Sequence, residues 1–242
     1  MKKYFLYIAA AAFLMIACNK EQQLVDPPEE PVAGIITMTT QVSEVIIWVG
    51  ITSSEGSDNF AIDWGDGKIS NLNDASSLLS SPYPYDSYSF EHYYSAATEH
   101  RITITGDNFY AFECAYNPLT SLDVSRYPEL TFLYCSDTQL TALDVSNNTD
   151  LYYLSCSRNQ LTASALNDLF RTLPDKAVAG IRGYIYIGGN PGEYDCDFSI
   201  ASKKGWSSSH PGKSLEEENH VELYLNYLKL INNHKIKLNH EK

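Results

Sequence analysis

The sequence has few basic residues for its length. Its 17 lysine and arginine residues stand against 30 aspartate and glutamate residues, which gives a formal net charge of −13 at pH 7. An acidic surface repels both phosphate backbones and anionic lipid. We therefore expect no nucleic-acid partner.

Motifs that carry catalytic or metal-binding chemistry are also missing. The sequence has no G-x-S-x-G and no H-E-x-x-H, and four of the 6 histidines follow residue 209. A hydrolytic site would need a nucleophile, a base and an orienting acid within reach of one another. We expect a protein that is not an enzyme and that uses no cofactor or metal. Asp63 and Asp66 are interpreted as turn caps, because calcium requires six to eight oxygen ligands.

Long apolar runs are confined to the N-terminus. Lys2 and Lys3 precede an apolar run over 4–17, which is too short to span a bilayer and is typical of a cleaved signal peptide. The junction Met15-Ile16-Ala17-Cys18 resembles a bacterial lipobox. That resemblance implies cleavage before Cys18, lipidation of its thiol, and contact with the membrane through this anchor only. An ordinary secretory signal that happens to contain a cysteine is the alternative.

Residues 18–33 are polar, acidic and rich in proline, which predicts an extended stalk. Its first four residues, Cys18 to Glu21, resemble the short signal that sends some Gram-negative lipoproteins to the outer face of the outer membrane. The expected location is therefore the cell envelope, with the protein anchored to the outer membrane and exposed at the surface.

Residues 34–108 carry short β-rich runs separated by turn signals. The clearest runs are 35–40, 44–51, 60–64 and 101–105, and the last of these alternates apolar and polar residues. Asp66-Gly67 follows the third run and predicts a hairpin, because both residues accept a positive φ. The pattern indicates a β-sandwich.

Two motifs in this region resemble the polycystic-kidney-disease (PKD) type of immunoglobulin-like domain. They are the turn Trp64-Gly65-Asp66-Gly67 and the H-x-Y formed by His92 and Tyr94. The resemblance implies an immunoglobulin-like sandwich. Thr98 and His100 depart from the family pattern, and the segment 71–88 is longer and richer in serine than usual.

Residues 109–171 repeat every 21 residues without a gap, as 109–129, 130–150 and 151–171. Self-similarity of this length marks a solenoid. The pattern L-x-x-L-x-C-x-x-N-x-L resembles the short leucine-rich repeat of bacterial surface lipoproteins. A helix is predicted over 161–170, a further repeat strand near Ile185, and a closing helix over 197–206, so that the repeats and their cap extend over 109–207.

The period predicts ladders of identical side chains on neighbouring strands. We interpret the cysteines of the ladder as small buried hydrophobes, because parallel side chains disfavour disulfides and no histidine repeats with them to bind zinc. Asparagines form the second ladder, and Thr138 replaces the asparagine of the middle unit. The ladder residues are Cys114, Cys135, Cys156, Asn117, Asn159 and Asn190.

Two interpretations remain open for residues 208–242. Apolar residues between Val221 and Ile231 have helical spacing, which indicates an amphipathic helix. A poorly ordered extension is the other interpretation. The state of Cys196, in the loop before the closing helix, is also left open.

The residues that flank the inward positions of the repeat strands should point outward on one face. They form two columns: Ala111, Phe132, Tyr153, Tyr184, and Glu113, Tyr134, Ser155, Tyr186. An exposed aromatic patch usually marks a binding site. We therefore predict that a protein or glycan ligand contacts Phe132, Tyr134, Tyr153, Tyr184 and Tyr186. A second possibility is that the tail or the sandwich packs over these rings.

These patterns lead to two hypotheses of function. The first is a surface-exposed binding module for protein interaction or adhesion, because leucine-rich repeats of this kind are generally interaction proteins. The second is an accessory glycan-binding lipoprotein or a subunit of a carbohydrate-processing system, because PKD-type domains often accompany glycan-degrading enzymes.

Overall fold

A computed structural model describes residues 34–51, 59–77, 86–107, 109–178 and 182–208. The predicted signal peptide and stalk, including Cys18, lie outside the described residues. So does the predicted tail beyond Ser208.

The described residues are mainly β, as predicted, and form two sheets with two short α-helices. The strands are β1 (Gly34–Thr40), β2 (Glu44–Ile51), β3 (Ala61–Asp63), β4 (Ile69–Asn71), β5 (Ser76–Ser77), β6 (Asp86–Tyr93), β7 (His100–Gly106), β8 (Phe109–Glu113), β9 (Leu119–Arg126), β10 (Phe132–Tyr134), β11 (Tyr153–Ser155), β12 (Gly183–Tyr186) and β13 (Trp206–Ser208). The strand order of the first sheet is β4-β3-β7-β1-β9, and that of the second is β13-β12-β11-β10-β8-β2-β6-β5.

The first sheet is antiparallel, and alternation along its strands produces one buried face. Ile36 and Met38 of β1 are fully buried, as are Ile102 and Ile104 of β7. β3 and β4 pair as the hairpin that Asp66-Gly67 predicts, and Gly67 has a φ of 87°. All four strands predicted between 34 and 108 are therefore present.

The second sheet joins parallel strands to antiparallel ones. Phe132 of β10 lies opposite Ala111 of β8 on one side and Tyr153 of β11 on the other, so neighbouring strands are displaced by one 21-residue repeat. β8 also pairs antiparallel with β2. The repeat strands are thus part of one mixed sheet, and the prediction of a solenoid is wrong for the described residues.

The core is continuous beneath both kinds of strand. Ile47 of β2 and Ile62 of β3 belong to the same buried cluster as Leu133 and Leu154 of the repeat strands. The first repeat also contributes β9, which pairs antiparallel with β1 of the first sheet. The first repeat therefore supplies strands to both sheets.

Two helices follow the third repeat strand. Helix α1 (Ala163–Thr172) begins at Thr162, whose side chain accepts a hydrogen bond from the Ala165 backbone N–H, and buries one apolar face. Helix α2 (Ser199–Lys203) is shorter than predicted, because Gly205 adopts a φ of 82° and the chain then enters β13. Trp206 of β13 is buried, and its indole N–H donates to the Pro174 carbonyl at 2.8 Å.

Candidate binding surface

The inward face of the repeat strands carries the predicted cysteine ladder. Cys114, Cys135 and Cys156 are fully buried and free. Burial raises the pKa of all three thiols, that of Cys156 to about 12. The thiols therefore stay protonated at neutral pH, and a thiol, unlike a thiolate, is a poor nucleophile and metal ligand. Cys196 is half-buried, and its thiol lies 3.3 Å from the Glu193 carbonyl.

The asparagine ladder ties each turn to the next through buried backbone groups. Asn159 Nδ2 donates to the Cys135 and Cys156 carbonyls at 2.7 and 3.0 Å, and Asn159 Oδ1 accepts from the Leu140 N–H at 3.0 Å. Thr138 fills the asparagine position of the middle unit, and its hydroxyl lies 2.8 Å from Asn159 Oδ1. Thr138 is therefore still hydrogen-bonded to the asparagine ladder.

The exposed turn after each cysteine also repeats. Tyr116, Asp137 and Arg158 have φ values of 62°, 57° and 50°, in the left-handed region that residues other than glycine rarely adopt. Arg158 Nε lies 2.8 and 2.9 Å from the two carboxylate oxygens of Asp137. The second and third turns are therefore held together on the solvent side as well as in the core.

The outward face carries what we name the first row: Ala111, Phe132, Tyr153 and Tyr184. These residues occupy matching positions on β8, β10, β11 and β12, as the period predicts. All five predicted site residues were expected to be exposed. That expectation is wrong for two of them, since Phe132 is only 3% exposed and Tyr153 only 2%. Tyr184 is half-buried.

Ring contacts account for part of this burial. Phe132 packs against Tyr152 and Tyr153 with ring centroids 6.0 and 6.1 Å apart, and Tyr110 lies 6.2 Å from Phe132. Tyr110 and Tyr152 were not among the predicted site residues. The described part of this face therefore contains a second apolar cluster, separate from the core between the sheets.

Beside the first row lies a second row, which consists of Trp48, Glu113, Tyr134, Ser155 and Tyr186. Trp48 of β2 lies opposite Glu113 of β8. From Glu113 the second row continues through Tyr134 of β10, Ser155 of β11 and Tyr186 of β12. All of these side chains except Ser155 are half-buried. Trp48 was missed, because nothing in the sequence indicates that β2 pairs with β8.

The second row combines aromatic rings with polar groups. Tyr134 and Tyr186 both pack against Tyr153, with ring centroids 4.9 and 5.2 Å apart. Partial burial raises the pKa of the Glu113 carboxyl above its usual range. The Ser155 hydroxyl lies 2.8 Å from the Ser136 hydroxyl. Such a surface can stack on a flat or apolar group and accept hydrogen bonds from it.

The acidic residues of the turn around Trp64-Gly65-Asp66-Gly67 form hydrogen bonds within the turn itself. Asp63 and Asp66 each accept a backbone N–H of the turn, at 2.9 and 3.1 Å, as predicted for turn caps. The His92 ring stacks on Trp64 with centroids 4.6 Å apart, and its Nε2 lies 3.0 Å from Asp66 Oδ2. No group of three metal-ligating side chains occurs anywhere in the described ranges.

Comparison with protein-family models, with curated proteins and with solved structures finds no match for this chain. Among the residues that the structure describes, neither helix has the length and apolar character needed to cross a bilayer.

Proposed function

We propose that this chain is a lipid-anchored binding module of the cell surface, and that the second row is where its partner makes contact. The observation that supports this site is the continuity of the row. Three half-buried aromatic side chains, Trp48, Tyr134 and Tyr186, occupy alternate strands along one line, with Glu113 and Ser155 between them. Aromatic side chains that retain accessible area supply large contacts at little conformational cost, which suits recognition.

The partner that we favour is a protein segment. The parallel strands, the 21-residue register and the asparagine ladder support a unit of the leucine-rich type that merges with the neighbouring antiparallel strands. That family resemblance implies interaction or adhesion. The buried thiols and the lack of a metal-ligating group among the described residues offer no support for catalysis.

A glycan is the second candidate, and one observation favours it. Glu113 stands between Trp48 and Tyr134, so a hydrogen-bond acceptor lies between two rings that can stack on sugar. The PKD-type resemblance of the region 34–108, with Trp64, His92 and Tyr94 in mutual contact, points the same way.

The binding proposal is tested with arrays of glycans and of surface proteins probed with the chain from Cys18 onward. Trp48→Ala and Tyr134→Ala should each weaken binding of the captured ligand by about 1 to 3 kcal/mol. Tyr194→Ala is the matched control, because Tyr194 is 87% exposed and lies outside both rows. Unchanged affinity of both row variants would show that the ligand binds elsewhere.

The anchor is tested separately. Cys18→Ser should block processing and leave an unlipidated precursor, and labelling cells with a fatty-acid analogue measures this directly. Labelling of the variant at the level of the natural protein would contradict the lipoprotein proposal. The binding proposal does not depend on this result.

A further inference from the structure

The strands of the second sheet contain no basic residue. β2, β5, β6, β8 and β10 to β13 carry neither lysine nor arginine, whereas three glutamates lie in them: Glu44, Glu91 and Glu113. The first sheet differs, because its strands β7 and β9 contain Arg101 and Arg126. A sheet with carboxylates and no positive charge in its strands attracts cations.

Glu113 lies in the second row between two aromatic residues. Trp48 is its neighbour on one adjoining strand and Tyr134 on the other. Phe112 and Cys114, which flank Glu113 in β8, are fully buried in the core, so Glu113 points to the opposite face of the sheet. Because neighbouring strands are about 4.8 Å apart, a group that stacks on Trp48 is within reach of the Glu113 carboxylate.

The Glu113 carboxylate has no cationic partner among the described residues. The ion pairs in this part of the chain all involve aspartates, namely Asp66, Asp137 and Asp168. Burial raises the pKa of the Glu113 carboxyl, because the carboxylate loses water without gaining a positive charge. A cation beside Glu113 would offset this cost.

A second aromatic residue with carboxylates lies on the same face. Glu44 of β2 lies opposite Tyr93 of β6, and Glu91 of β6 lies opposite Ile46. These positions alternate with buried ones and so share the outward face with Trp48. Interaction with the Glu44 carboxylate, and then the charge of Glu91, raises the pKa of the Tyr93 phenol. A negative field that disfavours a phenolate favours a cation.

Of the two basic side chains, arginine matches this surface better than lysine. Its planar guanidinium stacks on aromatic rings and donates two parallel hydrogen bonds to one carboxylate. It is also more weakly hydrated than an ammonium group, so it loses less on a half-buried surface. A ring and a carboxylate on neighbouring strands provide both of the contacts that a guanidinium makes.

We propose that the partner of the second row is a basic protein segment whose arginine side chain stacks on Trp48 and pairs with the Glu113 carboxylate. This inference rests on the proposed function and adds the chemistry of the partner. Trp48 supplies the flat contact, and Glu113 supplies the charge that selects arginine over a neutral side chain. The carboxylates of Glu44 and Glu91 attract further basic residues of the same segment.

The test uses the chain from Cys18 onward and the peptide probe Gly-Ser-Arg-Ser-Gly. Two further peptides replace the arginine by citrulline, which has nearly the same shape without the charge, or by lysine. Each titration is followed by NMR through the indole N–H signal of Trp48, which Trp48→Phe identifies among the 3 tryptophans. The arginine peptide should shift this signal. The citrulline peptide should bind about ten-fold more weakly, because the charge-assisted pair is lost, and the lysine peptide should lie between the two.

A matched pair of variants separates the Glu113 carboxylate from the general acidity of the chain. Glu113→Gln keeps the size of the side chain and should weaken binding of the arginine peptide about ten-fold. Glu99→Gln removes the same charge from an exposed residue between β6 and β7, outside both rows, and should leave the affinity unchanged. The indole signals of Trp64 and Trp206, both buried, show whether each variant is folded.

Equal affinity for the arginine and citrulline peptides would overturn the proposal, and so would equal affinity for the arginine and lysine peptides. Equal effects of Glu113→Gln and Glu99→Gln would overturn it as well, because net charge alone would then explain the binding.

Failure of this inference is distinguishable from failure of the proposed function. If the arginine peptide leaves the Trp48 signal in place, whereas Trp48→Ala weakens binding of the ligand captured on the arrays, the second row is the site and its partner is not basic. If the Trp48 signal does not move and Trp48→Ala has no effect on the captured ligand, both proposals are wrong.

Discussion

The two faces of strands β10, β11 and β12 come from the same 21-residue repeat but differ in how uniform they are. On the inward face, Cys135 and Cys156 are equally buried, and the asparagine ladder repeats its hydrogen bonds from turn to turn. On the outward face, Tyr153 is buried whereas Tyr134 and Tyr186 are only half-buried.

The difference shows what a repeat determines. The period places each side chain on a face and in a register, and the inward face is then buried in the core between the two sheets. Burial on the outward face instead differs from one position to the next. Substitutions on the two faces should therefore separate effects on stability from effects on recognition.

The largest expected effect is that of Asn159→Ala on the inward face. The substitution leaves the Leu140 and Thr138 N–H groups buried without their acceptor, whereas the Cys135 carbonyl keeps the Thr138 hydroxyl as a donor. Since each unsatisfied buried group costs about 1 to 3 kcal/mol, we expect a loss of about 4 kcal/mol in the free energy of unfolding. Chemical denaturation measures it, with the exposed Asn147→Ala as control. Equal stability of the two variants would mean that the ladder contributes little.

Tyr153→Ala should be nearly as destabilising, although Tyr153 lies on the outward face. Truncating a fully buried aromatic side chain costs about 3 kcal/mol or more. Tyr134→Ala should cost distinctly less, because Tyr134 is only half-buried. Comparing the unfolding midpoints of the two variants tests the division into two rows. Identical unfolding midpoints of the two variants would contradict the difference in burial between the first and the second row.

A smaller effect is expected for the cysteine ladder. Cys135→Ala leaves a small cavity and should cost about 1 to 2 kcal/mol. Because their pKa values are raised by burial, Cys114, Cys135 and Cys156 should react with a thiol reagent only after denaturation. Rapid labelling of the native protein at any of the three would contradict their assignment as sealed core residues.

The smallest expected effect is a pH dependence from Glu113. Its pKa is raised in the folded chain, so folding disfavours the ionised form. The associated stability is present below the usual pKa of a carboxyl and is lost as the pH rises through the raised value. Glu113→Gln should therefore match the natural chain at acidic pH and be more stable at neutral pH. Chemical denaturation of both proteins at acidic and at neutral pH measures this difference in the free energy of unfolding. Equal stability at neutral pH would contradict a desolvated Glu113 carboxylate.

Much of this arrangement was predictable from local pattern. The alternation in β7, the Asp-Gly hairpin and the strands of the 21-residue unit all follow from residues close together in sequence. The parts of both rows on β8, β10, β11 and β12 also follow from the sequence, because a fixed period on parallel strands allows only one register. The mainly β class and the cysteine and asparagine ladders could therefore be predicted from the sequence alone.

Long-range pairing was not predictable. β9 arises because Leu122 and Asp123 of the first repeat meet β1, whereas the matching residues of the second repeat, Leu143 and Asp144, are not in a strand. Trp48 enters the second row only because β2 lies beside β8. The burial of Tyr153 was likewise not predicted, because its position in the repeat indicates only an outward side chain. Each of these features is decided by contact between segments whose separate sequences do not specify it.

The position of β1 has a mechanical consequence for an anchored protein. β1 is hydrogen-bonded to β7 on one edge and to β9 on the other, and both partners run antiparallel to it. If the chain is tethered through Cys18, tension on a bound partner reaches the tether through the start of β1. That tension loads two ladders in shear at once, and many hydrogen bonds must then break together. An edge strand under the same tension would peel away one bond at a time.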